Sequence, residues 1–582
     1  MRPRHRLRRL EYTAVDALCL CICRIRRVIN PDFSRVNDAP VSDDCAVLEA
    51  LHRSLTSVAY TYENVADLLG ARAFDAMARD MVVPGVHRLQ QVQAADTSTD
   101  AEKNLSTVVA FFLLGQSVEE DALEAALPEI GVQGLINLGL AERLDKQVLA
   151  RVDLRPHSSD DGTELWVAAD LGAHQRPGVL RKDHVLGIGH ASLTLAQITE
   201  RTPVDRALDL GTGCGIQTFY LLGHTRHVTA TDISQRALAF TRFNLLLNAQ
   251  VLGIDPQHLE ERVSLRLGSL LEPVTGETFD LVVSNPPFVI TPRTSFESPE
   301  DQYTYRDGGL AGDGIVSTLV KTLPTVLTEG GRAQMLGNWE IPVDAGSEGW
   351  SARLQQWVGD ETEAWFIQRE VLTPEQYAET WLKDASENSD RQLFESSYVN
   401  YLKDFSARGV EAIGFGMVWL RRPVASSLRA QEQNPQQNIL VRRFEEITYP
   451  IQQPVAGWLT ESVARHDQLA ACTEEDLAGL HLVVADDVTE ERHSTPGAEH
   501  PSVIILRQGA GLRRTVVETS ETSGFVGACD GELAVGQIVN ALVSILEWPE
   551  ATSPESPQRQ LMGHVRELVR DGFLIVCETS ID

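Results

Sequence analysis

Glycines alternate with other residues directly after a predicted buried strand. The stretch reads Asp209-Leu-Gly-Thr-Gly-Cys-Gly215 and runs into a predicted helix that begins at Ile216. Because Gly211, Gly213 and Gly215 carry no Cβ atom, the backbone can pass close under a bound nucleotide-like molecule. The first turn of the following helix offers free amide donors to the same molecule. The stretch therefore predicts a cofactor-binding loop.

Two acidic residues indicate which cofactor this loop binds. A dinucleotide-binding loop carries glycines in the pattern G-x-G-x-x-G, whereas here every second residue is glycine and Asp209 precedes them. The Asp209 carboxylate would repel a pyrophosphate, but it suits the cationic amino-acid portion of S-adenosylmethionine. Asp232 ends the next predicted strand, where a carboxylate can accept hydrogen bonds from both ribose hydroxyls. The pattern favours S-adenosylmethionine over NAD, with Thr212 and Ile233 in the same site.

A second polar stretch, Asn285-Pro-Pro-Phe288, follows another predicted buried strand. The side-chain oxygen of Asn285 and the carbonyl of Pro286 can accept hydrogen bonds from both N–H groups of a planar amine or amide. These bonds would direct the nitrogen lone pair at a methyl donor, and Asn285 also borders the cofactor. Pro286 and Pro287 fix the backbone, and Phe288 can stack on a flat acceptor. The stretch predicts in-line methyl transfer without a metal or a covalent enzyme intermediate.

Together, the two stretches resemble those of class I S-adenosylmethionine-dependent N-methyltransferases with an N-P-P-[F/Y] motif. The resemblance extends over about residues 185–422. It implies a Rossmann-like α/β domain with a seven-stranded sheet. The family's acceptors are adenine N6, guanine N2 of ribosomal RNA and glutamine amides of release factors.

The resemblance suggests two further contributions to the cofactor site, each with a plainer alternative. In this family, the residue after the third strand often faces the adenine amine, and here that residue is Ser269. An ordinary turn serine is the alternative. The segment before the first strand, here His184–Gln197, often covers the cofactor. A plain linker with a helix start is the alternative.

The substrate is less clearly indicated than the chemistry. The segment Tyr305–Gly314 resembles a Gly-Gly-x-x-Gly segment of the release-factor glutamine methyltransferases, but those enzymes usually carry tyrosine where Phe288 stands. Phenylalanine is frequent in enzymes that methylate guanine N2 of ribosomal RNA. A nucleic acid, with RNA favoured, is the first expectation, and a protein such as a release factor is the second. A non-catalytic DNA-binding regulator is a third, although such a protein would not need both stretches.

Strand and helix patterns alternate over residues 204–340, which predicts a parallel sheet covered on both faces. The predicted strands are Arg206–Leu210, His227–Thr231, Val263–Leu267, Phe279–Ser284 and Arg332–Leu336. The predicted helices are Ile216–Leu222, Ser234–Leu247, with Ser234 as N-cap, and Gly312–Leu327. Two further strands, Glu363–Ile367 and Ala412–Leu420, are expected to end the sheet, with the last one antiparallel.

Four segments are predicted along the chain. Residues 1–40 are a basic tail, either disordered or upstream of the true start, with a nucleic-acid-binding arm as the alternative. Residues 41–183 form a helical, winged-helix-like domain whose hairpin pairs Val148–Leu154 with Glu164–Ala169. Residues 184–424 are the methyltransferase domain, and 439–582 are an α+β domain that ends in a second winged-helix-like module.

Composition limits the remaining possibilities. A length of 582 residues predicts several domains. The net charge of −31 lowers the expectation of a general polyanion-binding protein. Eight cysteines without a Cys-x-x-Cys pair give no indication of a zinc ribbon and suit a reducing cytoplasm. No run of 18 apolar residues occurs, so no membrane span is predicted. The sequence leaves the oligomeric state open.

Overall fold

A computed structural model describes residues 32–176, 180–293, 307–346, 349–385, 387, 390–433, 439–549 and 556–577. Most of the predicted basic tail, residues 1–31, lies outside the described residues. No helix in the described ranges is both long and apolar enough to cross a membrane.

The centre of the protein is a mainly parallel sheet, as the alternating pattern predicts. Its strands are β1 (Val204–Leu210), β2 (Thr225–Asp232), β3 (Val263–Leu267), β4 (Phe279–Ser284), β5 (Leu327–Pro342), β6 (Glu363–Leu372), β7 (Val410–Arg421) and β8 (Arg442–Glu446). Their order across the sheet is β8-β6-β7-β5-β4-β1-β2-β3. Strand β7 is antiparallel to both of its neighbours. The α/β fold and the antiparallel insertion of the last predicted strand are confirmed.

The sheet differs from the prediction in two strands. Among the described residues it has eight strands rather than seven, because Arg442–Glu446 pairs in parallel with β6. This short, charged segment carries no apolar alternation that would mark it as a strand. Strand β5 is longer than the predicted Arg332–Leu336, because the chain pairs with β4 on both sides of a register shift near Gly330, where φ is +76°. The predicted helix Gly312–Leu327 is correspondingly shorter.

The helices of the central domain cover the sheet and extend its carboxyl edge. The main ones are α1 (His190–Ile198), α2 (Ile216–Leu222), α3 (Gln235–Leu247), α4 (Gly314–Thr322), α5 (Pro374–Asp384) and α6 (Arg391–Arg408). Further helical segments are Ala249–Leu252, Leu259–Glu261, Glu272–Val274, Leu323–Val326, Ser351–Gln355 and Ala425–Gln433. Ser234 is the N-cap of α3, and its side chain accepts a hydrogen bond from the Ala237 amide at 3.3 Å, as predicted.

The register of the central strands determines where the polar stretches meet. Leu210 at the end of β1 lies opposite Thr231 of β2 on one side and Ser284 of β4 on the other. The glycine loop, Asp232 and Asn285 each follow one of these adjacent strand ends. In a parallel sheet the carboxyl ends of the strands share one edge, which is where ligands bind in open α/β folds. The sheet therefore brings both predicted stretches to one site.

The N-terminal module is helical with two small sheets. Its helices are Cys45–Ser57, Tyr62–Leu69, Ala71–Met77, Val83–Ala94, Asp100–Val108, Val109–Leu113, Glu120–Ala126 and Gly131–Asn137. Its strands are Val118–Glu119, Ala141–Leu144, Gln147–Ala150, Asp153–Ser158 and Glu164–Ala169. The predicted hairpin is right in its strand Glu164–Ala169 and in the turn at 160–162, but the paired strand is Asp153–Ser158 rather than Val148–Leu154. The predicted run is interrupted by a bend at residues 151 and 152, which divides it between two strands. Gln147–Ala150 pairs with Ala141–Leu144, and Asp153–Ser158 pairs with Glu164–Ala169.

Two buried asparagines of the central domain hold this second hairpin in place. The Asn244 side chain accepts from the Ala168 amide at 2.8 Å and donates to the Ala168 carbonyl at 2.9 Å. Asn248 makes the same pair of bonds with Trp166, at 2.9 and 2.8 Å. Asn244 also donates to the Cys214 carbonyl at 2.9 Å. The hairpin is thus bound to α3 and its C-terminal end through its backbone, and Asn244 connects it to the glycine loop.

Replacing Asn248 by alanine is expected to destabilise the protein by about 3 kcal/mol, because it leaves the buried amide and carbonyl of Trp166 without their partner. Denaturant unfolding followed by tryptophan fluorescence measures this loss. Asn64→Ala is the control, since the Asn64 amide group donates to a carbonyl at the surface. The control should change stability by less than about 0.5 kcal/mol. Equal stabilities of the two variants would contradict the role of Asn248.

The C-terminal module packs against the β8 side of the sheet. Its helices are Ala456–Ala471, Glu474–Gly479, Ser520–Gly527, Val535–Ile545 and Pro557–Asp571. Its strands are His481–Val484, Val488–His493, Val503–Gln508, Thr515–Glu518, Asp530–Ala534 and Leu574–Val576. Arg443 of β8 forms an ion pair with Asp571 at 2.8 Å, and Arg514 forms one with Glu445 at 3.0 Å. The winged-helix-like assignment of the two flanking modules, like the domain limits, stays a prediction.

Candidate functional site

A cavity of about 530 Å³ opens at the carboxyl edge of the central sheet. This volume falls within the range of about 300–1,000 Å³ that is usual for cofactor sites. The predicted residues that line it are Gly211, Thr212, Gly213, Asp232, Ile233, Ser269, Asn285, Pro286 and Pro287. Both predicted stretches therefore contribute to one cavity.

The glycine loop adopts a backbone that favours glycine. The φ angles of Gly211, Gly213 and Gly215 are +81°, +58° and +94°. A Cβ atom on Gly211 or Gly213 would meet no atom of the described residues within 4 Å. At Gly215 it would approach the Thr241 methyl group to 3.1 Å. Side chains at 211 and 213 would thus combine backbone strain with loss of the open space above the loop.

Asp209 lies behind the loop and does not line the cavity. Its side chain is fully buried, and Oδ2 accepts hydrogen bonds from the Thr212 and Thr218 hydroxyls at 2.8 and 2.7 Å. Oδ1 is buried and has no hydrogen-bond partner among the described residues. Burial raises the pKa of Asp209 to about 6, and the two hydroxyl bonds oppose this rise. Asp209 can therefore act on a bound cation through its charge, from behind the loop.

Asp232 stands at the end of β2, where its carboxylate faces the cavity and braces the backbone around it. Oδ2 accepts from the Gly213 amide at 3.1 Å, and Oδ1 accepts from the Ser234 amide at 2.8 Å. Burial raises the pKa of Asp232 despite these bonds. Ile233 beside it is 60% exposed and borders the cavity, as Ser269 does from the end of β3. These side chains offer a carboxylate and an apolar edge to one ligand.

Asn285 lines the same cavity and carries an unused hydrogen-bond acceptor. Its Oδ1 atom is buried and has no hydrogen-bond partner among the residues that the structure describes. The preceding Ser284 is buried, and its hydroxyl donates to the Leu210 carbonyl at 2.8 Å, which connects this loop to the glycine loop. The Pro286 carbonyl accepts from the Phe288 amide at 2.8 Å, which closes a tight turn directly after Asn285. One of the two lone pairs of this carbonyl is therefore occupied.

Phe288 does not line the cavity but packs beside it. Its ring meets the ring of Trp381 edge-on, with centroids 6.3 Å apart and planes at 76°. Its backbone forms an isolated antiparallel bridge with Asp307, whose neighbours Gly308–Leu310 continue the cavity wall. Of the predicted segment Tyr305–Gly314, residues 305 and 306 lie outside the described residues. The end of the Asn285–Phe288 loop therefore contacts α5 through Trp381 and the segment that begins at Asp307.

The segment before β1 also borders the cavity. His184, Val185, Leu186 and Gly187 line it, together with Ser192 of α1. The Gln217 side chain, from the helix after the glycine loop, donates to the Ser192 carbonyl at 2.7 Å. This placement favours the lid interpretation of His184–Gln197 over a plain linker.

Sequence reasoning missed several side chains at or near this site, among them Leu270, Tyr377 and Trp381. Leu270 lines the cavity with a φ of +48°, which no local pattern indicates for a leucine. Tyr377 and Trp381 of α5 contact the segment after Asn285. Two large aromatic side chains four residues apart on an otherwise polar helix were the available signal, since that spacing places them on one helix face.

Comparisons with known proteins agree with this geometry. Residues 171–299 match the family model of the methyltransferase small domain, and residues 57–151 match a domain of unknown function, DUF7059. The mainly parallel α/β sheet and the match to the methyltransferase small domain support a class I S-adenosylmethionine-dependent methyltransferase domain at the centre of the chain.

The curated relatives include protein glutamine methyltransferases and ribosomal RNA methyltransferases. The ribosomal protein uL3 glutamine methyltransferase of Bradyrhizobium diazoefficiens is 31% identical over 29% of this chain and 50% of its own length. The release factor glutamine methyltransferase of Geobacter sulfurreducens is 28% identical over 38% of this chain and 78% of its own. The ribosomal RNA small subunit methyltransferase C of Cronobacter sakazakii is 29% identical over 39% and 60%. The chain thus spans about half the length of the first of these relatives.

The residues around the cavity fit S-adenosylmethionine. The open space above Gly211 and Gly213 admits a ligand against bare backbone. The unpartnered Oδ1 of Asp209 leaves a negative charge for a cationic group near the loop. Asp232 and the exposed Ile233 lie together at the neighbouring strand end.

Cofactor affinity is expected to fall as the pH drops through about 6, the pKa of Asp209. The bound cation favours the ionised carboxylate, so affinity is full above this pKa and is lost below it, about tenfold per pH unit. Calorimetric titration with S-adenosylmethionine between pH 5 and 8 measures the slope. Asp209→Asn should bind more weakly at neutral pH and show a flatter profile. An unchanged profile in this variant would assign the dependence to another group.

Proposed function

We propose that this protein transfers a methyl group from S-adenosylmethionine to a planar amino or amide nitrogen. The S–CH3 bond breaks as the N–CH3 bond forms, S-adenosylhomocysteine leaves, and the nitrogen releases one proton to solvent. The observation that carries the proposal is that Asn285 lines the cofactor cavity and that its buried Oδ1 atom has no hydrogen-bond partner among the described residues. An unpaired buried acceptor costs free energy. An N–H group on the nitrogen that receives the methyl group would donate a hydrogen bond to this Oδ1 atom.

The residues of the Asn285 loop would orient the acceptor nitrogen. Asn285 Oδ1 accepts a hydrogen bond from one N–H group, and the remaining lone pair of the Pro286 carbonyl accepts one from the other. Both bonds direct the nitrogen lone pair away from the loop and towards the cavity. Phe288, which packs against Trp381 beside the cavity, would supply an aromatic surface to a flat acceptor that extends beyond the cavity. The loop therefore acts by positioning, which can lower the barrier substantially.

The glycine loop and its neighbours would hold the cofactor, with Gly211, Thr212 and Gly213 beneath it; Gly215 does not line the cavity and would support the turn from behind. S-adenosylmethionine supplies an electrophilic methyl group on a positively charged sulfur atom. Asp232 accepts hydrogen bonds from the ribose hydroxyls, and Ile233 packs on the adenine. Ser269 borders the same end of the cavity. Asp209 adds its negative charge from behind the loop.

A nucleic-acid base, with RNA favoured, is the first acceptor that we propose. It is supported by Phe288, whose aromatic ring suits a base, and by the similarity to a ribosomal RNA methyltransferase. Glutamine in a protein is the second, supported by the 31% identity to a uL3 glutamine methyltransferase. The net charge of −31 also favours this alternative over a polyanion.

Transfer of tritiated methyl groups in extracts from a strain that lacks this protein separates these acceptors. Purified protein and labelled S-adenosylmethionine are added, and label is then counted separately in ribosomal RNA, ribosomal proteins and release factors. Label in RNA supports the first acceptor, and label in a protein glutamine supports the second. The absence of both, together with no calorimetric affinity for S-adenosylmethionine, would favour a non-catalytic regulator.

A further inference from the structure

We propose that the insertion formed by α5 and α6 holds the Asn285–Phe288 loop in its reactive position, with Tyr377 as the positioning residue. This inference rests on the proposed methyl transfer, because it concerns the same loop. It assigns a task to a part of the chain that carries neither of the two sequence stretches.

The insertion lies at the edge of the sheet where the cavity opens. Strand β6 runs in the same direction as β5, since both are antiparallel to β7. Its carboxyl end, Leu372, is therefore at the same edge as the end of β4. Thr373 caps α5 through a reciprocal pair of bonds with Gln376, so the helix starts directly at this edge.

Tyr377 connects this helix to the loop. Its hydroxyl accepts hydrogen bonds from the Ile290 amide and from the Asn338 side chain, both at 2.7 Å. Ile290 is two residues beyond Phe288, so the bond fixes the backbone where the loop ends. Tyr377 is fully buried, which shields both bonds from competing water.

The ring of Tyr377 is itself held from two other elements. It stacks on Phe415 of β7 at 5.6 Å and meets Phe405 of α6 edge-on at 5.5 Å. One helical turn further along α5, Trp381 meets the ring of Phe288. The loop thus has two attachments to one aromatic cluster, the Ile290 amide and the Phe288 ring.

Such attachments matter more for transfer than for cofactor binding. The lone pair of the acceptor must align with the methyl group, and small misplacements lower rates strongly. The glycine loop and Asp232 make no hydrogen bond to Tyr377 among the described contacts. Loosening the loop should therefore lower kcat and leave the cofactor affinity unchanged.

The test compares Tyr377→Phe with Tyr398→Phe. The Tyr398 hydroxyl bonds to Glu379 at 3.4 Å, inside the insertion, so the control loses a hydroxyl without releasing the loop. In Tyr377→Phe we expect kcat to fall about tenfold and amide exchange over residues 285–293 to rise about tenfold. The Kd for S-adenosylmethionine should stay within about twofold, and the control should match wild type in all three measurements.

The acceptor in this assay is total ribosomal RNA and protein from a strain that lacks the protein. If wild type labels neither, the proposed function fails, and that failure is distinct from failure of the positioning role. With active wild type, a wild-type kcat in Tyr377→Phe would overturn the inference. A fall in kcat without faster amide exchange would also overturn it, because the hydroxyl would then not act through the loop.

Discussion

Replacing Asn285 by alanine is expected to lower kcat for methyl transfer about 10³-fold, in line with the removal of other preorganised hydrogen-bonding groups. Asn285 borders the cavity, and its Oδ1 atom is buried and has no partner among the described residues. Its loss removes an acceptor that matters most when the nitrogen lone pair turns towards the methyl group. The Kd for S-adenosylmethionine should change by less than about twofold, because the lost hydrogen bond is made to the methyl acceptor and not to the cofactor.

Tritiated methyl transfer and calorimetry measure these two quantities on the same preparation. Asn285→Asp keeps oxygen acceptors at this position and should transfer faster than the alanine variant. Full activity of Asn285→Ala would refute the role assigned to this side chain. A parallel loss of cofactor affinity would instead show that Asn285 acts mainly in the cofactor site.

Replacing Asp232 by alanine is expected to weaken S-adenosylmethionine binding about 100-fold, because two charge-assisted hydrogen bonds to the ribose are lost. The variant also removes the acceptors of the Gly213 and Ser234 amides, which support the loop. At saturating cofactor, kcat should fall much less than the affinity, because the Asn285 loop is untouched. This is the reverse of the pattern expected for Asn285→Ala.

Ser269→Ala provides the control for Asp232, because Ser269 lines the same cavity but carries no charge. Its Kd should stay within about threefold of wild type, as expected for one neutral hydrogen bond at most. Calorimetric titrations of both variants at about pH 7.5, well above the acidic range in which carboxylates titrate, give the comparison, and thermal melts show whether they fold. An unchanged affinity in Asp232→Ala would count against the ribose contact.

Much of the central sheet could be predicted from local pattern. Strands β1 to β4 are short, apolar and bounded by turns, and each predicted core falls within its observed limits. Strand β8 could not be predicted, because Arg442–Glu446 is charged and joins the sheet through backbone bonds to a strand far away in the chain. In the N-terminal hairpin only the first strand was misplaced, because the apolar run Val148–Leu154 belongs to two strands that pair with different partners.

The sequence by itself determined the two stretches and the chemistry that we propose for them. Alternating glycines need a backbone that other residues rarely adopt, and Asn-Pro-Pro-Phe contains its acceptors within four residues, so both are local properties. Only the tertiary structure decided that Asp209 lies behind the loop and that Tyr377 bonds to the backbone at the end of the Asn285–Phe288 loop. The Ile290–Tyr377 bond joins residues 87 positions apart, and such contacts depend on how elements pack rather than on spacing.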